Sequence, residues 1–157
     1  MSTAIEMHTP RMTYETFARL APKSNTALLS LGSANHALLD TQLLELIEVR
    51  ASQINGCAYC VHYHLGLARK AGVDQVKLDL LAVWPEAGVF SPREMAALAF
   101  AEQLVDVSRK GVTDPAWEGL KAHFTETEIA GLCTAVATIS AWNRIAISMG
   151  FAPALGQ

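Results

Sequence analysis

The sequence predicts an all-α protein, a single-domain helical bundle with about six to eight helices. Ser91 and Thr125 each stand three residues before a glutamate, which is the spacing of a capping box at a helix start. No segment alternates apolar and polar residues for long enough to form a convincing strand. No linker or low-complexity run divides the 157 residues. We therefore expect one helical domain over residues 13–157, after a loose leader over residues 1–12.

Start and stop residues place four helices in the first half of the chain. Pro22 ends the first helix, and Ser24 begins the second. Asp40 or Thr41 caps the third helix, and a turn at Gly56 separates it from the fourth, which ends before Gly72. The predicted ranges are 13–20, 24–39, 41–54 and 57–70.

The third predicted helix carries apolar and acidic residues side by side. At helical spacing, its core stripe consists of Leu43, Leu46, Ile47, Ala51 and Ile54. Glu45 and Glu48 lie off the centre of this stripe, one turn apart. Without further context, Glu45 is interpreted as a solvated acid on an amphipathic helix.

The second half of the chain predicts four more helices. Asp74 caps a short one that stops at Trp84-Pro85, and Gly111 follows the helix that Ser91 begins. Asp114 begins the next, and the capping box at Thr125 opens a long apolar helix. The predicted ranges are 74–83, 91–109, 114–123 and 125–149.

The composition indicates buried contacts between subunits. Apolar residues make up 51% of the chain and charged residues 17%, with a mean hydropathy of +0.23. No uninterrupted apolar stretch reaches about 18 residues, so lipid does not explain the apolar excess. We therefore expect a homo-oligomer and no membrane partner.

Charge and cysteine content exclude further classes of protein. A net charge of -3 without a basic cluster argues against nucleic acid and anionic membranes as partners. The N-terminus lacks a basic flank followed by an apolar segment, so no secretory signal is predicted. Three cysteines do not suit a secreted disulfide framework, and a cytoplasmic protein with one cycling pair fits better.

The stretch over residues 45–64 concentrates the reactive side chains. Cys57 and Cys60 form a C-x-x-C pair, and His64 follows one helical turn after Cys60. Asn55-Gly56 is a turn signal, so the cysteines fall in the first turn of a new helix. Unpaired N–H groups and the helix dipole stabilise a thiolate there. These features favour a redox pair.

Two other interpretations of the cysteine pair remain open. A structural metal site normally needs four ligands, usually from two arms of the chain. Cys57, Cys60 and His64 supply three ligands from one helix, and Cys133 is remote in sequence. The pair is otherwise interpreted as two buried thiols.

The stretch resembles the signature of the alkylhydroperoxidase D-like family, which also includes the carboxymuconolactone decarboxylases. In the peroxidase branch of that family, a glutamate lies twelve residues before the first cysteine of a C-x-x-C-x-x-x-H motif. The residues that match this pattern position for position are Glu45, Cys57, Cys60 and His64. The similarity continues through Ser91-Pro92 and His123-Phe124 to residues 141–144, and it covers about residues 14–152.

The resemblance implies an oxidoreductase, a thiol-dependent peroxidase with no cofactor and no metal. Cys60 would attack the peroxide, and Cys57 would resolve the sulfenic acid into a disulfide. Glu45 would orient or protonate His64, with Glu48 as the substitute candidate. The partners would be a peroxide substrate, an external dithiol reductant and further copies of the chain, as a trimer or hexamer.

Three other residues near these positions are interpreted as structural. The best-known branch has a histidine just before the second cysteine, where this chain has Tyr59; we expect Tyr59 either to pack or to donate a hydrogen bond near the thiols, with packing at least as strongly indicated. His62 is expected to be exposed or to contact a neighbouring subunit, and Cys133 to be an inert buried thiol.

The sequence leaves a second class of function open. A non-redox member of the same fold would be a lactone decarboxylase or a small-molecule binding protein, and a metal-binding module is the third alternative. The cysteine pair discriminates between these classes, because decarboxylation has no need of a C-x-x-C.

Overall fold

The computed structural model describes residues 8–155, which contain ten α-helices and one 3₁₀ turn but no strand. The helices are α1 (Tyr14–Leu20), α2 (Pro22–Asn35), α3 (Thr41–Asn55), α4 (Ala58–Lys70), α5 (Gln75–Leu80), α6 (Trp84–Ala87), α7 (Pro92–Val105), α8 (Val107–Lys110), α9 (Asp114–Lys121) and α10 (Glu126–Met149), and the 3₁₀ turn covers Leu81–Val83. Of these, α6 and α8 are single turns of four residues. The all-α prediction is confirmed. In residues 8–155, eight α-helices are longer than one turn, which agrees with the predicted six to eight.

The predicted helix starts are formed by the expected side chains. Ser91 and Thr125 both complete capping boxes, in which the hydroxyl accepts from the backbone and the following glutamate bonds back. Asp40 caps α3 by accepting from the backbone N–H of Leu43 at 3.1 Å. These local signals therefore determine where the long helices begin.

The main differences from the predicted boundaries lie at prolines and at Asp106. Helix α2 begins at Pro22 rather than at Ser24, because proline suits the first helical position. Pro85 lies in the first turn of α6, where a helix end was predicted. Helix α7 ends at Val105, because Asp106 has φ −99° and ψ 27° and the chain restarts as α8.

Helix α3 lies at the centre of the fold, packed against α4, α7 and α10. Leu44, Ile47 and Val49 are all 0% exposed, although they point in different directions around the helix. The predicted core residues Leu43, Leu46, Ile47 and Ala51 are buried, but burial extends beyond that stripe. Glu45 and Glu48 are buried because neighbouring helices cover more than one side of α3, whereas Ile54, in its last turn, is 40% exposed.

A second group of buried residues surrounds the cysteines. Cys57 and Cys60 pack with apolar side chains from α1, α3, α10 and the segment after α10. These side chains belong to Phe17, Ala51, Ile139, Ala146 and Phe151. The start of α4 is therefore anchored from several sides.

The N-terminal segment contacts the end of α10. The backbone N–H groups of Arg11 and Met12 both donate to the carbonyl oxygen of Met149, at 2.9 and 3.0 Å. The ring Nε2 of His8 lies 2.9 Å from the carbonyl oxygen of Gly150. The predicted leader thus includes a described part that is bonded to the domain, while residues 1–7 lie outside the described residues.

Helix α10 is the longest helix, with 24 residues, and it lies within the predicted range. It packs on α2, α3 and α7. Among the helices of residues 8–155, none combines the length and apolarity needed to cross a membrane.

Gly131 on α10 permits close packing against the segment that follows α2. A Cβ at this position would lie 2.8 Å from the Cβ of Leu38 and 3.1 Å from the Cγ of Leu39. We expect Gly131→Ala to lower the free energy of unfolding by about 1–3 kcal/mol, measured by urea denaturation. Gly119→Ala on α9, where no atom lies within 4 Å, is the control and should be neutral or stabilising. Equal effects of the two substitutions would contradict this account of the contact.

Candidate active site

The turn between α3 and α4 places the cysteines at a helix start, as predicted. Gly56 has φ +72°, a left-handed conformation that glycine adopts without strain. The backbone N–H of Cys57 then donates to the carbonyl oxygen of Ser52 at 3.0 Å. Cys57 is the N-cap residue of α4, and its Sγ accepts from the backbone N–H of Cys60 at 3.3 Å.

Cys57 and Cys60 are joined by a disulfide across the first turn of α4, with their Cα atoms 5.3 Å apart. Their exposed fractions are 2% and 4%. The two sulfurs differ in their surroundings, because Cys60 is the one that lines a neighbouring cavity. A small molecule in that cavity would therefore meet Cys60.

His64 lies one turn further along α4 and faces two carboxylates of α3. Its Nδ1 is 2.9 Å from Oε2 of Glu45 and 3.1 Å from Oε2 of Glu48. The side chains of both glutamates are at least nine-tenths buried, with 2% and 8% exposed. The structure thus brings together Glu45, predicted for this position, and Glu48, predicted as its substitute.

The two carboxylates determine the charge of the imidazole. Burial by itself lowers the pKa of His64, but hydrogen bonds and the negative charges of Glu45 and Glu48 outweigh burial and raise it from 6.5 to about 9. His64 is therefore an imidazolium at neutral pH. Since its Nδ1–H donates to the carboxylates, Nε2 is the nitrogen left for the cavity that His64 lines.

The metal interpretation receives no support from the cysteines. Both sulfurs are joined to each other, so Cys57, Cys60 and His64 do not form a ligand set. Glu45, Glu48 and His64 do place three potential ligand atoms within 4.8 Å of one another. We interpret this hydrogen-bonded group of one imidazole and two carboxylates as a proton site.

The cavity beside Cys60 has a volume of about 310 Å³. Its reactive end contains Cys60, His64, Glu45 and Glu48. The remaining walls come from α1, α2, α4 and α10 and are mainly apolar or aromatic, with Tyr14, Leu28, Leu29, Tyr59, Tyr63, Leu67, Ile139, Trp142 and Ala146 among them. This volume lies within the range of small-molecule sites in proteins.

Tyr59 packs in an aromatic cluster, as expected. Its ring lies 5.4 Å from that of Phe151 and 6.4 Å from that of Tyr14, between ring centroids. Burial, followed by the neighbouring Tyr14, raises the pKa of Tyr59, so its hydroxyl stays protonated across the neutral range. It also lines the cavity.

His62 and Cys133 lie away from the reactive group. His62 is exposed, and its Nε2 lies 3.0 Å from the carbonyl oxygen of Ala154. Cys133 is a free, half-buried cysteine, and burial raises the pKa of its thiol, which makes the thiolate scarce at neutral pH.

Asn143, which belongs to the matched run 141–144 and was expected to hold helix ends or subunits together, supports the site by joining two helices. Its side chain is fully buried, donates to Oγ of Ser52 at 3.0 Å and accepts from Asn55 at 2.9 Å. These bonds tie the last turn of α3 to α10, just before the cysteines. A polar residue within an apolar helix was the available signal, but the sequence does not show which partner it meets.

The comparisons with known proteins identify the family of this chain. Residues 22–103 match the family model of the carboxymuconolactone decarboxylase family, which is more than half of the chain. The chain belongs to this family. It is also 38% identical over 106 residues to the uncharacterized protein YdfG of Bacillus subtilis (strain 168), a match that covers 68% of this chain and 72% of YdfG.

Solved structures place this family member among alkylhydroperoxidase D-like proteins. One is a protein of unknown function from Agrobacterium tumefaciens, proposed to be the antioxidant defence protein AhpD, with a TM-score of 0.89, 31% identity and coverage of 94% of this chain and 100% of that one. Another is an uncharacterized peroxidase-related protein from Ralstonia eutropha JMP134 with an alkylhydroperoxidase AhpD core, with a TM-score of 0.78, 26% identity and coverage of 92% and 77%. The predicted family and fold are confirmed.

Proposed function

We propose that this protein is a thiol-dependent peroxidase that works through a dithiol–disulfide cycle of Cys57 and Cys60. The observation that carries the proposal is the shared cavity, which Cys60 lines together with a charged His64. His64 transfers the proton, and two buried carboxylates hold it in its protonated form.

In the first step, the Cys60 thiolate attacks the terminal oxygen of the hydroperoxide, the one that carries the hydrogen. The S–O bond forms as the O–O bond breaks, and the electron pair leaves with the departing alkoxide. The imidazolium of His64 gives its proton to this alkoxide, so the products are an alcohol and the sulfenic acid of Cys60. With its pKa at about 9, His64 acts as the acid of this step.

In the second step, Cys57 resolves the sulfenic acid. Its sulfur attacks that of Cys60, the hydroxyl leaves as water with one proton from the Cys57 thiol, and the disulfide forms. The position of Cys57 at the N-cap of α4 supports this role, because the N–H of Cys60 stabilises a thiolate at Cys57.

In the third step, an external dithiol reduces the disulfide. Its thiolate attacks the Cys60 sulfur from the cavity, and Cys57 leaves as a thiolate that the helix N-terminus stabilises. The second thiol of the reductant then releases Cys60, and two protons pass to the enzyme. This cycle requires no metal and no cofactor.

We also propose that the chain forms a homo-oligomer, a trimer or a hexamer, in a reducing compartment such as the cytoplasm. Large apolar side chains are exposed in the single chain, among them Leu20 at 60% and Leu31 at 41%, and contact between subunits would bury such side chains.

The experiment that tests the proposal is a peroxide-consumption assay with several dithiol donors. We expect turnover by the wild type, none by Cys60→Ser, and a loss of two protons per chain in intact mass after mild peroxide treatment. Cys133→Ser is the control and should behave as the wild type. A protein that stays fully reduced in peroxide, or that consumes Cys133, would contradict the proposal and favour a non-redox member of the family.

A further inference from the structure

The cavity beside Cys60 joins an apolar wall to an acidic end. The apolar wall is formed by Leu28, Leu29, Leu67, Ile139, Trp142 and Ala146. No lysine or arginine lines the cavity within residues 8–155. A ligand of this cavity therefore meets no fixed cationic side chain apart from the imidazole that serves the reaction.

The charges at the acidic end do not balance. Glu45 and Glu48 contribute two carboxylates, and His64 contributes one positive charge between them. The group thus carries one uncompensated negative charge, which is largely shielded from water because both carboxylates are buried. Charges in such an environment interact more strongly than in water.

The other polar groups of the cavity do not offset this charge. The hydroxyls of Ser33, Thr138, Tyr59 and Tyr63 can donate hydrogen bonds but are neutral, and His36, the residue that follows α2, is exposed. A charge at an exposed position is screened by water and salt, so His36 adds little attraction for an anion inside the cavity. The cavity therefore offers an anion no fixed positive charge outside the reactive group, and its apolar walls replace much of the water around the anion.

We propose that this cavity selects neutral hydroperoxides with an apolar or aromatic body and rejects those that carry a carboxylate. The inference rests on the proposed peroxidase function and names the substrate class of the same site. A carboxylate would lose its water in the apolar part of the cavity and would be repelled by the acidic end. A methyl ester of the same molecule suffers neither effect, so charge alone separates the two.

The test compares 4-carboxycumene hydroperoxide with its methyl ester at pH 8, with the dithiol reductant in excess. We expect kcat/KM to be about 10- to 100-fold higher for the ester. Glu48→Gln removes one negative charge and should shrink this ratio several-fold, whatever it does to the overall rate. Glu86→Gln changes the net charge equally at an exposed position outside the cavity and should leave the ratio unchanged. Equal kcat/KM values for acid and ester, or the same change in both variants, would overturn the inference.

A second measurement separates this inference from the peroxidase proposal. Calorimetry follows binding of the two corresponding alcohols, which are the reaction products, to the oxidised protein. If no hydroperoxide is turned over, the peroxidase proposal fails, but tighter binding of the ester alcohol would still support charge selection by the cavity. Equal binding of both alcohols, tighter binding of the acid, or binding of neither would overturn it.

Discussion

Peroxide reduction by the His64→Ala variant is expected to be slower than by the wild type by a factor of about 10²–10⁴. The substitution removes the imidazolium that stabilises the Cys60 thiolate and that protonates the leaving alkoxide. The quantity measured is the rate constant for oxidation of the reduced protein by peroxide, obtained by rapid mixing. Tryptophan fluorescence follows the reaction, because Trp142 lines the cavity.

The same helix offers a matched control. His62→Ala removes an exposed imidazole that contacts a backbone carbonyl and should leave the rate nearly unchanged. Glu45→Gln should slow the reaction less than His64→Ala, because Glu48 remains 3.1 Å from Nδ1. A His64→Ala protein as fast as the wild type would show that the imidazole takes no part in the reaction.

The stability of the oxidised protein is expected to fall as the pH rises from about 6.5 to about 9. The pKa of His64 is raised to about 9 in the folded protein, against 6.5 ordinarily. A group with a raised folded-state pKa stabilises the fold fully below its unfolded pKa, and this stabilisation is lost as pH rises through the folded pKa. One pKa unit corresponds to about 1.4 kcal/mol, so the loss is at most about 3.5 kcal/mol.

Urea denaturation of the oxidised protein at pH 6, 7.5 and 9.5 measures this loss. The disulfide excludes titration of Cys57 and Cys60, and a reference protein with the His64→Gln substitution carries all other titrating groups. The wild type should lose more stability than this reference over the range. Parallel curves for the two proteins would contradict a raised pKa of His64.

Local signals in the sequence predict most of the helices of this fold. Capping boxes and the Gly56 turn act through atoms within a few residues, so α7, α10 and the α3–α4 turn begin where expected. Proline positions are less decisive, because proline suits both a helix stop and a first helical turn, as at Pro22 and Pro85.

The environment of the glutamates could not be predicted from α3 alone. Helical periodicity shows one apolar stripe, but α3 is covered by α4, α7 and α10, and burial of Glu45 and Glu48 depends on those neighbours. The motif identified Glu45 and His64, with Glu48 only as a substitute for Glu45. The structure places both glutamates at nearly the same distance from Nδ1 of His64. The contribution of α2 to the cavity has no local signature, because it arises only when distant helices pack together.

The reactivity of Cys60 is the central claim, and the pH dependence of its alkylation tests it most directly. The measurement uses the reduced Cys57→Ser protein in which Cys133 is also replaced. It compares this protein with the same protein that also carries His64→Ala. We predict a Cys60 pKa below the ordinary value of about 8.5, which rises when His64 is replaced by alanine. A Cys60 pKa near about 8.5 that is the same with and without His64 would contradict the account.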